Sequence, residues 1–201
     1  MRWLYRVPRV RGAVLRAMSC AFRARYRRSF APGVRIYGWP FLRLKKGSEL
    51  HVGMRASLIS VSEFSEWALS HACHIRTTSP SSKIVIGDDV GMSGVTIVCA
   101  AHVEIGDRVM LGANVCITDT DSHAVDLVPR RFAHNQVKYA PVYIEDDVFI
   151  GAGTIVLKGV TIGAGSVIGA GSVVASDIPA GVVAAGNPAR LVRSLRAEAG
   201  R

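Results

Sequence analysis

Two aspartates and a histidine alternate in a short polar stretch, Asp-Thr-Asp-Ser-His, that ends at His123. An imidazole titrates near neutral pH, so such a histidine can take a proton from a hydroxyl group. Asp119 and Asp121 precede it by four and two positions, so in an extended segment all three side chains project from one face. Either carboxylate can then orient the imidazole through its second nitrogen. The spacing does not choose between them, and Asp126 is a third candidate.

The structural alternative for this stretch is a simple loop. Aspartates are frequent in turns, where their side chains bond to nearby backbone groups, and a lone histidine is ordinarily a surface residue. The chemical interpretation therefore depends on the elements that position the stretch.

A repeat of six residues supplies these elements. β-Branched residues recur without a gap at Ile144, Ile150, Val156, Ile162, Ile168 and Val174, and related anchors occur earlier at Ile86, Met92, Ile105, Leu111 and Ile117. Such side chains suit short strands with one buried face, and the glycine or aspartate three positions later suits a corner. Three strands and three corners make one coil, and stacked coils bury a continuous column of anchors. A β-sandwich with chance spacing does not explain six consecutive matches.

Two segments interrupt the repeat. Residues 118–143 contain the Asp-Thr-Asp-Ser-His stretch and are too many for a corner, so they are predicted to form a loop extruded from the column. A second interruption, at about residues 60–83, is harder to interpret. Its His71, Cys73 and His74 lack the matching second half of a zinc site, so no metal is predicted. After Ile178, a final turn and a short basic helix are predicted.

Several of these stretches resemble the hexapeptide-repeat acyltransferases. They are IEDDVFIGAGTIVLKGVTIGAGSVIGAGSVVASDIPAGVVAAGNPAR, IGDDVGMSGVTI, IGDRVMLGANVCITDTDSH and APVYI. Within that superfamily they are similar to sugar O-acetyltransferases of polysaccharide, capsule and colanic acid biosynthesis, and more distantly to the maltose and galactoside acetyltransferases. The resemblance covers residues 33–195 and is most specific over residues 84–192.

The resemblance implies a left-handed parallel β-helix and a homotrimer with active sites between neighbouring subunits. It also implies acetyl-CoA as the acyl donor, no metal, and a sugar acceptor that is free or linked to a nucleotide or lipid. His123 matches the catalytic histidine of the family and is expected to act as general base. The expected reaction is O-acetylation of a sugar or polysaccharide precursor.

Four further residues match donor-binding positions of the family. The backbone amide of Ala152 corresponds to the donor that stabilises the oxyanion, and that of Ala170 to a contact with the pantetheine arm of CoA. Arg190 and Arg193 match basic positions that contact the CoA phosphates, for which guanidinium groups are well suited. If they do not bind CoA, these two arginines are expected to lie on the solvated face of a terminal helix.

The acceptor side is less completely matched. Phe149 stands where relatives commonly have tryptophan, which keeps an aromatic wall but removes the indole donor. Ser93 lies about 30 residues before His123, near the position of a polar acceptor-binding residue in relatives. A Thr-Lys pair common in relatives is Ala175-Ser176 here, so one CoA contact is missing.

Charge is concentrated at the N-terminus. Residues 1–48 contain 13 lysines and arginines and no carboxylate, whereas the remainder has 12 basic and 15 acidic side chains. Residues 8–30 predict an amphipathic helix that either packs on the column or lies on an anionic membrane surface. No motif for nucleic-acid recognition accompanies the charge. The scattered cysteines favour a reducing compartment, so a cytoplasmic location is expected.

The predicted organisation has three parts. Residues 1–32 form the basic segment, residues 33–192 the β-helix with its extruded loop, and residues 193–201 a tail. Two alternatives to an acyltransferase stay open. One is a non-catalytic trimeric scaffold, and the other is a γ-class carbonic anhydrase with zinc on His102, His123 and His134, although the close histidine pair of that family is absent.

Overall fold

The computed structural model describes residues 17, 19–22, 24–125 and 137–195. Helical backbone is found at residues 17, 19–22 and 24–25, and a 3-10 helix at Ser62–Phe64. The described strands are β1 (Arg35–Tyr37), β2 (Phe41–Arg43), β3 (Glu49–Val52), β4 (Ser57–Ile59), β5 (His74–Thr77), β6 (Lys83–Ile86), β7 (Gly91–Ser93), β8 (Thr96–Cys99), β9 (His102–Ile105), β10 (Met110–Leu111), β11 (Cys116–Thr118), β12 (Val142–Ile144), β13 (Phe149–Ile150), β14 (Ile155–Val156), β15 (Thr161–Ile162), β16 (Val167–Ile168), β17 (Val173–Val174), β18 (Val182–Gly186) and β19 (Ala189–Ser194).

From β1 to β17 every third strand joins the same sheet, so the chain winds as a three-sided parallel β-helix, and β18 and β19 extend sheet 1. Sheet 1 has the order β1-β4-β7-β10-β13-β16-β18-β19, sheet 2 the order β17-β14-β11-β8-β5-β2, and sheet 3 the order β15-β12-β9-β6-β3. The first corner connects sheet 1 to sheet 2, the second connects sheet 2 to sheet 3, and the third connects sheet 3 back to sheet 1. The predicted coil of three short strands is confirmed.

The six-residue anchors form the core. Strand partners align them in vertical rows; one row of sheet 3 runs through Ile86, Ile105, Ile144 and Ile162, all of which are buried. In most strands, including β3, β6 and β12, buried side chains alternate with more exposed ones, as expected for a pleated strand with one inward face. Burial of these apolar anchors is the main favourable contribution to folding.

The third corner is held by a ladder of aspartates. The backbone N–H groups of Met54, Asp88 and Asp107 donate to the carboxylates of Asp88, Asp107 and Asp146, at 2.7, 2.7 and 2.9 Å. Each aspartate therefore satisfies the corner of the coil below its own. This regular pattern explains why the repeat begins its corners with aspartate so often at this side of the column.

The basic N-terminal segment packs on the first coil where it is described. Phe22 is 1% exposed and contacts Tyr26, Phe30 and Trp39 with ring centroids 4.8, 5.5 and 5.3 Å away. Packing on the column is thus observed for Phe22, while residues 1–16, for which membrane contact is also predicted, lie outside the described residues. The described helical residues contain no stretch long and apolar enough to cross a bilayer.

Two sequence predictions about the ends of the repeat need correction. The predicted C-terminal helix is wrong, because residues 189–194 form β19, which pairs antiparallel with β18 after a turn at Gly186 (φ 106°). A strand here satisfies the open edge of sheet 1, which a helix leaves unpaired. The interruption predicted at 60–83 is shorter, since β5 returns to the column with Ile75 buried. The inserted segment is residues 60–73.

Removing one anchor should destabilise the column. Ile162→Ala deletes a fully buried side chain near the C-terminal end of this row, and the free energy of unfolding is expected to fall by about 2–5 kcal/mol. Thr161→Ala, on the outward face of the same strand, is the matched control and should change it by less than about 1 kcal/mol. Urea unfolding at one protein concentration measures both, and equal losses would contradict the assignment of faces.

Candidate active site

Four predicted binding residues lie together in one cleft. A cavity of about 570 Å³ opens at the first corner, and its lining includes Ser93, Phe149, Ala152 and Ala170. One wall is the outer face of sheet 1, and the other is the inserted segment 60–73, which contributes Phe64 to Trp67. This cavity is called the corner cleft below.

Two backbone amides of the corner cleft have no acceptor among the described residues. Within the described residues, the N–H groups of Ala152 and Ala170 donate to no hydrogen-bond acceptor. By contrast, the N–H of Ala164, at the third corner, donates to the Glu145 carboxylate at 2.8 Å. Unsatisfied backbone donors beside a cavity are suited to bind a ligand oxygen. The predicted roles of Ala152 and Ala170 rest on such amides.

The inserted segment is fastened to the column by Asn114. This residue has φ 61°, a left-handed conformation that asparagine tolerates, and its side chain points to the insertion. Its amide oxygen accepts from the Ser70 N–H at 2.9 Å, and its amide nitrogen donates to the Ala68 carbonyl at 3.1 Å. The sequence prediction recognised Asn114 as a corner residue but missed that it places Trp67 at the cleft.

The two predicted CoA arginines share the outer face of sheet 1. Arg193 lies opposite Val183 and Arg190 opposite Ala185, with a register shift between these pairs. In a regular strand, residues three apart point to opposite faces, but the bulge restores a common face. Val183 continues the row of Phe149 through Val167, so both arginines stand beyond the corner cleft on the same exposed face.

His123 lies in a different cavity at the second corner. This cavity, called the histidine groove below, has a volume of about 780 Å³ and also contains Thr120, Ser122 and Tyr139. The extruded loop leaves the column after β11 and is braced by an antiparallel bridge between Thr120 and Tyr139. Residues 126–136 of this loop, including Asp126 and His134, lie outside the described residues.

The prediction that Asp119, Asp121 and His123 share one face is wrong. Ser122 has φ 62°, so the segment turns instead of remaining extended. Asp119 is fully buried, whereas His123 is exposed. The structure therefore separates Asp119 from the base that it was expected to orient.

Asp119 instead closes the second corner of the preceding coil. Its carboxylate accepts from the backbone N–H groups of Ala100, Ala101 and His102 at 2.6, 2.6 and 2.9 Å. It also accepts from the Cys99 thiol at 3.4 Å, and burial, followed by the charge of Asp119, raises the pKa of Cys99 to about 12. These donors lie below the extruded loop, so Asp119 anchors the base of the loop.

The remaining described carboxylate near the histidine is that of Asp121. It forms an ion pair with Lys158 at 3.0 Å, and its backbone N–H donates to the Lys138 carbonyl. His102, a zinc candidate, forms a contact with Glu104 at 3.0 Å. No three His, Cys, Asp or Glu side chains of the described ranges converge on a common metal position.

Asp119→Asn should lower stability. An amide presents an NH₂ group and a neutral oxygen to three backbone donors, so about 1–3 kcal/mol of unfolding free energy should be lost. Asp121→Asn is the matched control on the half-buried side of the same loop, and its loss should be below about 1 kcal/mol. Thermal and urea unfolding measure both. Equal midpoints for Asp119→Asn and the unmodified protein would contradict the anchoring role.

Comparison with known proteins identifies the repeat. Residues 141–176 match the family described as bacterial transferase hexapeptide (six repeats), and residues 102–119 match the hexapeptide repeat of succinyl-transferase. The chain is 48% identical over 102 residues to a galactoside O-acetyltransferase of Lactococcus lactis. The aligned segment covers 50% of this chain and 47% of that protein. The chain thus matches about half the length of such relatives.

Solved structures extend the similarity over most of the chain. A hexapeptide-repeat acetyltransferase of Vibrio cholerae in complex with acetyl coenzyme A has a TM-score of 0.52 and 26% identity, covering 93% of this chain and 86% of its own. A maltose O-acetyltransferase of Clostridium difficile has a TM-score of 0.52 and 25% identity, covering 94% and 86%. Two segments of the chain thus match hexapeptide-repeat families, and the chain folds as the left-handed parallel β-helix of hexapeptide-repeat acetyltransferases.

Proposed function

We propose that the protein is an O-acetyltransferase that moves an acetyl group from acetyl-CoA to a hydroxyl of a sugar or polysaccharide precursor. The observation that carries the proposal is the pair of corner amides, Ala152 and Ala170, that lack an acceptor among the described residues and face a cleft. The names of the relatives support the substrate class, because one is a galactoside and another a maltose O-acetyltransferase. The neighbour solved with acetyl coenzyme A supports the donor.

In the proposed reaction, His123 acts as the general base. Its imidazole takes the proton of the acceptor hydroxyl while the hydroxyl oxygen attacks the thioester carbonyl carbon. The N–H of Ala152 donates to the oxyanion of the tetrahedral intermediate. When the intermediate collapses, the carbon–sulfur bond breaks and the imidazolium returns its proton to the CoA sulfur. The products are an O-acetyl sugar and free CoA.

The proposed site needs two copies of the chain. His123 lines the groove at the second corner, whereas Ala152 and Ala170 line the cleft at the first corner, so one chain holds the two halves on different edges of its column. A homotrimer places an edge of one subunit against another edge of its neighbour through a heterologous interface that closes into a ring. In this assembly the histidine of one subunit serves the cleft of the next.

Asp121 is the proposed orienting carboxylate among the described residues. Asp119 is occupied by backbone donors, while Asp121 is half-buried beside Lys158. A role in polysaccharide biosynthesis, a cytoplasmic location and contact of residues 1–30 with a membrane stay predictions. The scaffold and carbonic anhydrase alternatives predict no acetyl transfer, and the second also predicts bound zinc by elemental analysis.

Replacement of the base tests the chemistry. His123→Ala should lower kcat/KM for acetylation of a sugar by about 10²–10⁴-fold, because general-base catalysis contributes about that much. His51→Ala, an exposed histidine on the outer face of sheet 3, is the matched control and should keep its rate. Release of CoA thiol in the presence of acceptor sugars measures both variants. Equal rates for His123→Ala and the unmodified protein would remove the catalytic assignment.

Mixing two inactive variants tests the shared site. Ala170→Trp fills the corner cleft at an exposed position and should abolish activity, as should His123→Ala. Co-expressed at equal levels, the two should form trimers in which about one quarter of the interfaces pair an intact histidine with an intact cleft. Activity should therefore return to about that fraction. No recovery in trimers shown to be mixed would place both halves of the site in one subunit.

A further inference from the structure

The histidine groove is lined mainly by hydroxyl groups and one cation. Thr78, Ser79, Ser81, Thr120 and Ser122 contribute hydroxyl-bearing side chains. Arg76 is the one arginine or lysine among the lining residues, and none of these described residues is acidic. The groove therefore offers hydrogen-bonding groups suited to a saccharide together with a single positive charge.

Arg76 has no counter-charge in the described part of the chain. It forms none of the observed ion pairs, and its partner on the neighbouring strand is Arg43, which is exposed. Two like charges directly opposite each other in a sheet are unfavourable, so the pair is not explained by stability of the fold. The described carboxylates of the extruded loop are engaged elsewhere, Asp119 with backbone amides and Asp121 with Lys158.

The surroundings of His74 belong to the same positive region. His74 precedes Arg76 by two residues and so lies on the same outward face of β5, with its ring against Phe41. Burial lowers the pKa of His74, and the charges of Arg76, His71 and Arg43 lower it further. The outer face of sheet 2 at β2 and β5 is therefore positive without a described acidic neighbour.

Arg76 and His123 line the same groove, so one acceptor molecule can contact both. Its strand partner is Val98, whose partner is Thr118 at the end of β11, just before the extruded loop. Two strand spacings separate Arg76 from Thr118, roughly 10 Å between backbones. The arginine side chain extends over part of this distance, and His123 lines the same groove.

We propose that Arg76 binds an anionic group of the acceptor, a phosphate or a carboxylate, and so selects charged saccharides over neutral sugars. The inference rests on the proposed acetyl transfer at His123. A guanidinium presents paired donors that match either oxyanion, and a bidentate contact fixes orientation as well as charge. With its anion at Arg76, the saccharide directs a ring hydroxyl toward the imidazole.

The donor phosphates have a separate set of arginines. Arg190 and Arg193 stand on the outer face of sheet 1 in line with the corner cleft, whereas Arg76 stands on sheet 2. Binding of the acetyl-CoA phosphates and binding of the acceptor anion are thus assigned to different faces. This separation makes the proposal testable through the two Michaelis constants.

Arg76→Gln is the principal variant for a kinetic test. The acceptors are one neutral hexose, its 1-phosphate and its uronic acid, which distinguish a phosphate from a carboxylate as the selected group. The unmodified protein should prefer at least one charged acceptor, and Arg76→Gln should lower kcat/KM for that acceptor by about 10- to 100-fold. Its kcat/KM for the neutral hexose and its KM for acetyl-CoA should change less than about twofold.

Two matched variants complete the kinetic test. Arg76→Lys keeps the charge but not the paired donors, so it should recover part of the preference. Arg35→Gln removes an exposed cation from β1, outside both cavities, and should leave the preference intact. A loss that is equal for neutral and charged acceptors, or a rise in the KM of acetyl-CoA, would overturn the assignment of Arg76 to the acceptor anion.

A binding measurement separates this inference from the proposed function. Calorimetric titration of the hexose 1-phosphate and the uronic acid into the unmodified protein should show binding of at least one, weakened about 10-fold or more by Arg76→Gln. Such binding in a protein that releases no CoA from acetyl-CoA would refute the acetyl transfer while retaining the anion site. Acetylation of the neutral hexose alone, with no binding of either anion, would retain the enzyme and refute the role of Arg76.

Discussion

Backbone N–H groups at the corners of the coils are the constraint on which this structure depends. Within a parallel sheet, neighbouring strands satisfy each other's backbone donors, but each corner exposes N–H groups that need another acceptor. At the third corner, carboxylates such as Asp107 accept them, and at the second corner Asp119 accepts three at once. At the first corner, the N–H groups of Ala152 and Ala170 have no described acceptor. These two donors face the corner cleft and can therefore bind a substrate oxygen.

The regular column also determines how its irregular segments can act. Loops that carry functional groups need a rigid support, because small displacements at a reacting centre are costly. Asn114 holds the inserted segment against the first corner, and Asp119 holds the base of the extruded loop at the second. The direct contacts of both residues stabilise the fold. They act on the proposed chemistry by placing Trp67 and His123.

Charge is arranged differently on the corners and on the faces. At the third corner the charges are paired, with Arg55 on Asp89 and Arg108 on Asp147, and these guanidinium groups hold the pKa of both carboxyls below the usual value. These exposed pairs contribute little to stability. On sheet 2, Arg76 faces Arg43 with no described counter-charge. A positive face beside hydroxyl groups serves an anionic ligand better than it serves the fold.

The sequence by itself determined the column and the position of the histidine loop. The six-residue period specified which side chains point inward, because each short strand has one buried face. The six anchor residues from Ile144 to Val174 are buried as predicted. Resemblance in the corner motifs selected Ala152, Ala170 and Phe149, and the structure brings them together in one cleft. A local pattern is sufficient here because a solenoid is assembled from contacts between neighbouring coils.

Other properties were decided only by the tertiary structure. Asp119 and Asp121 alternate as if they shared a face with His123. Backbone amides of the coil below instead bind the Asp119 carboxylate in the interior, and a turn at Ser122 separates Asp121 from His123 in the chain. The basic C-terminal segment is predicted to be a helix, but it forms a strand because it pairs with β18 at the open edge of sheet 1. The separation of His123 from Ala152 across two corners likewise depends on how the chain winds. Each outcome depends on groups distant in the chain, such as backbone donors that need a hydrogen-bond acceptor. A local sequence pattern contains no information about those groups.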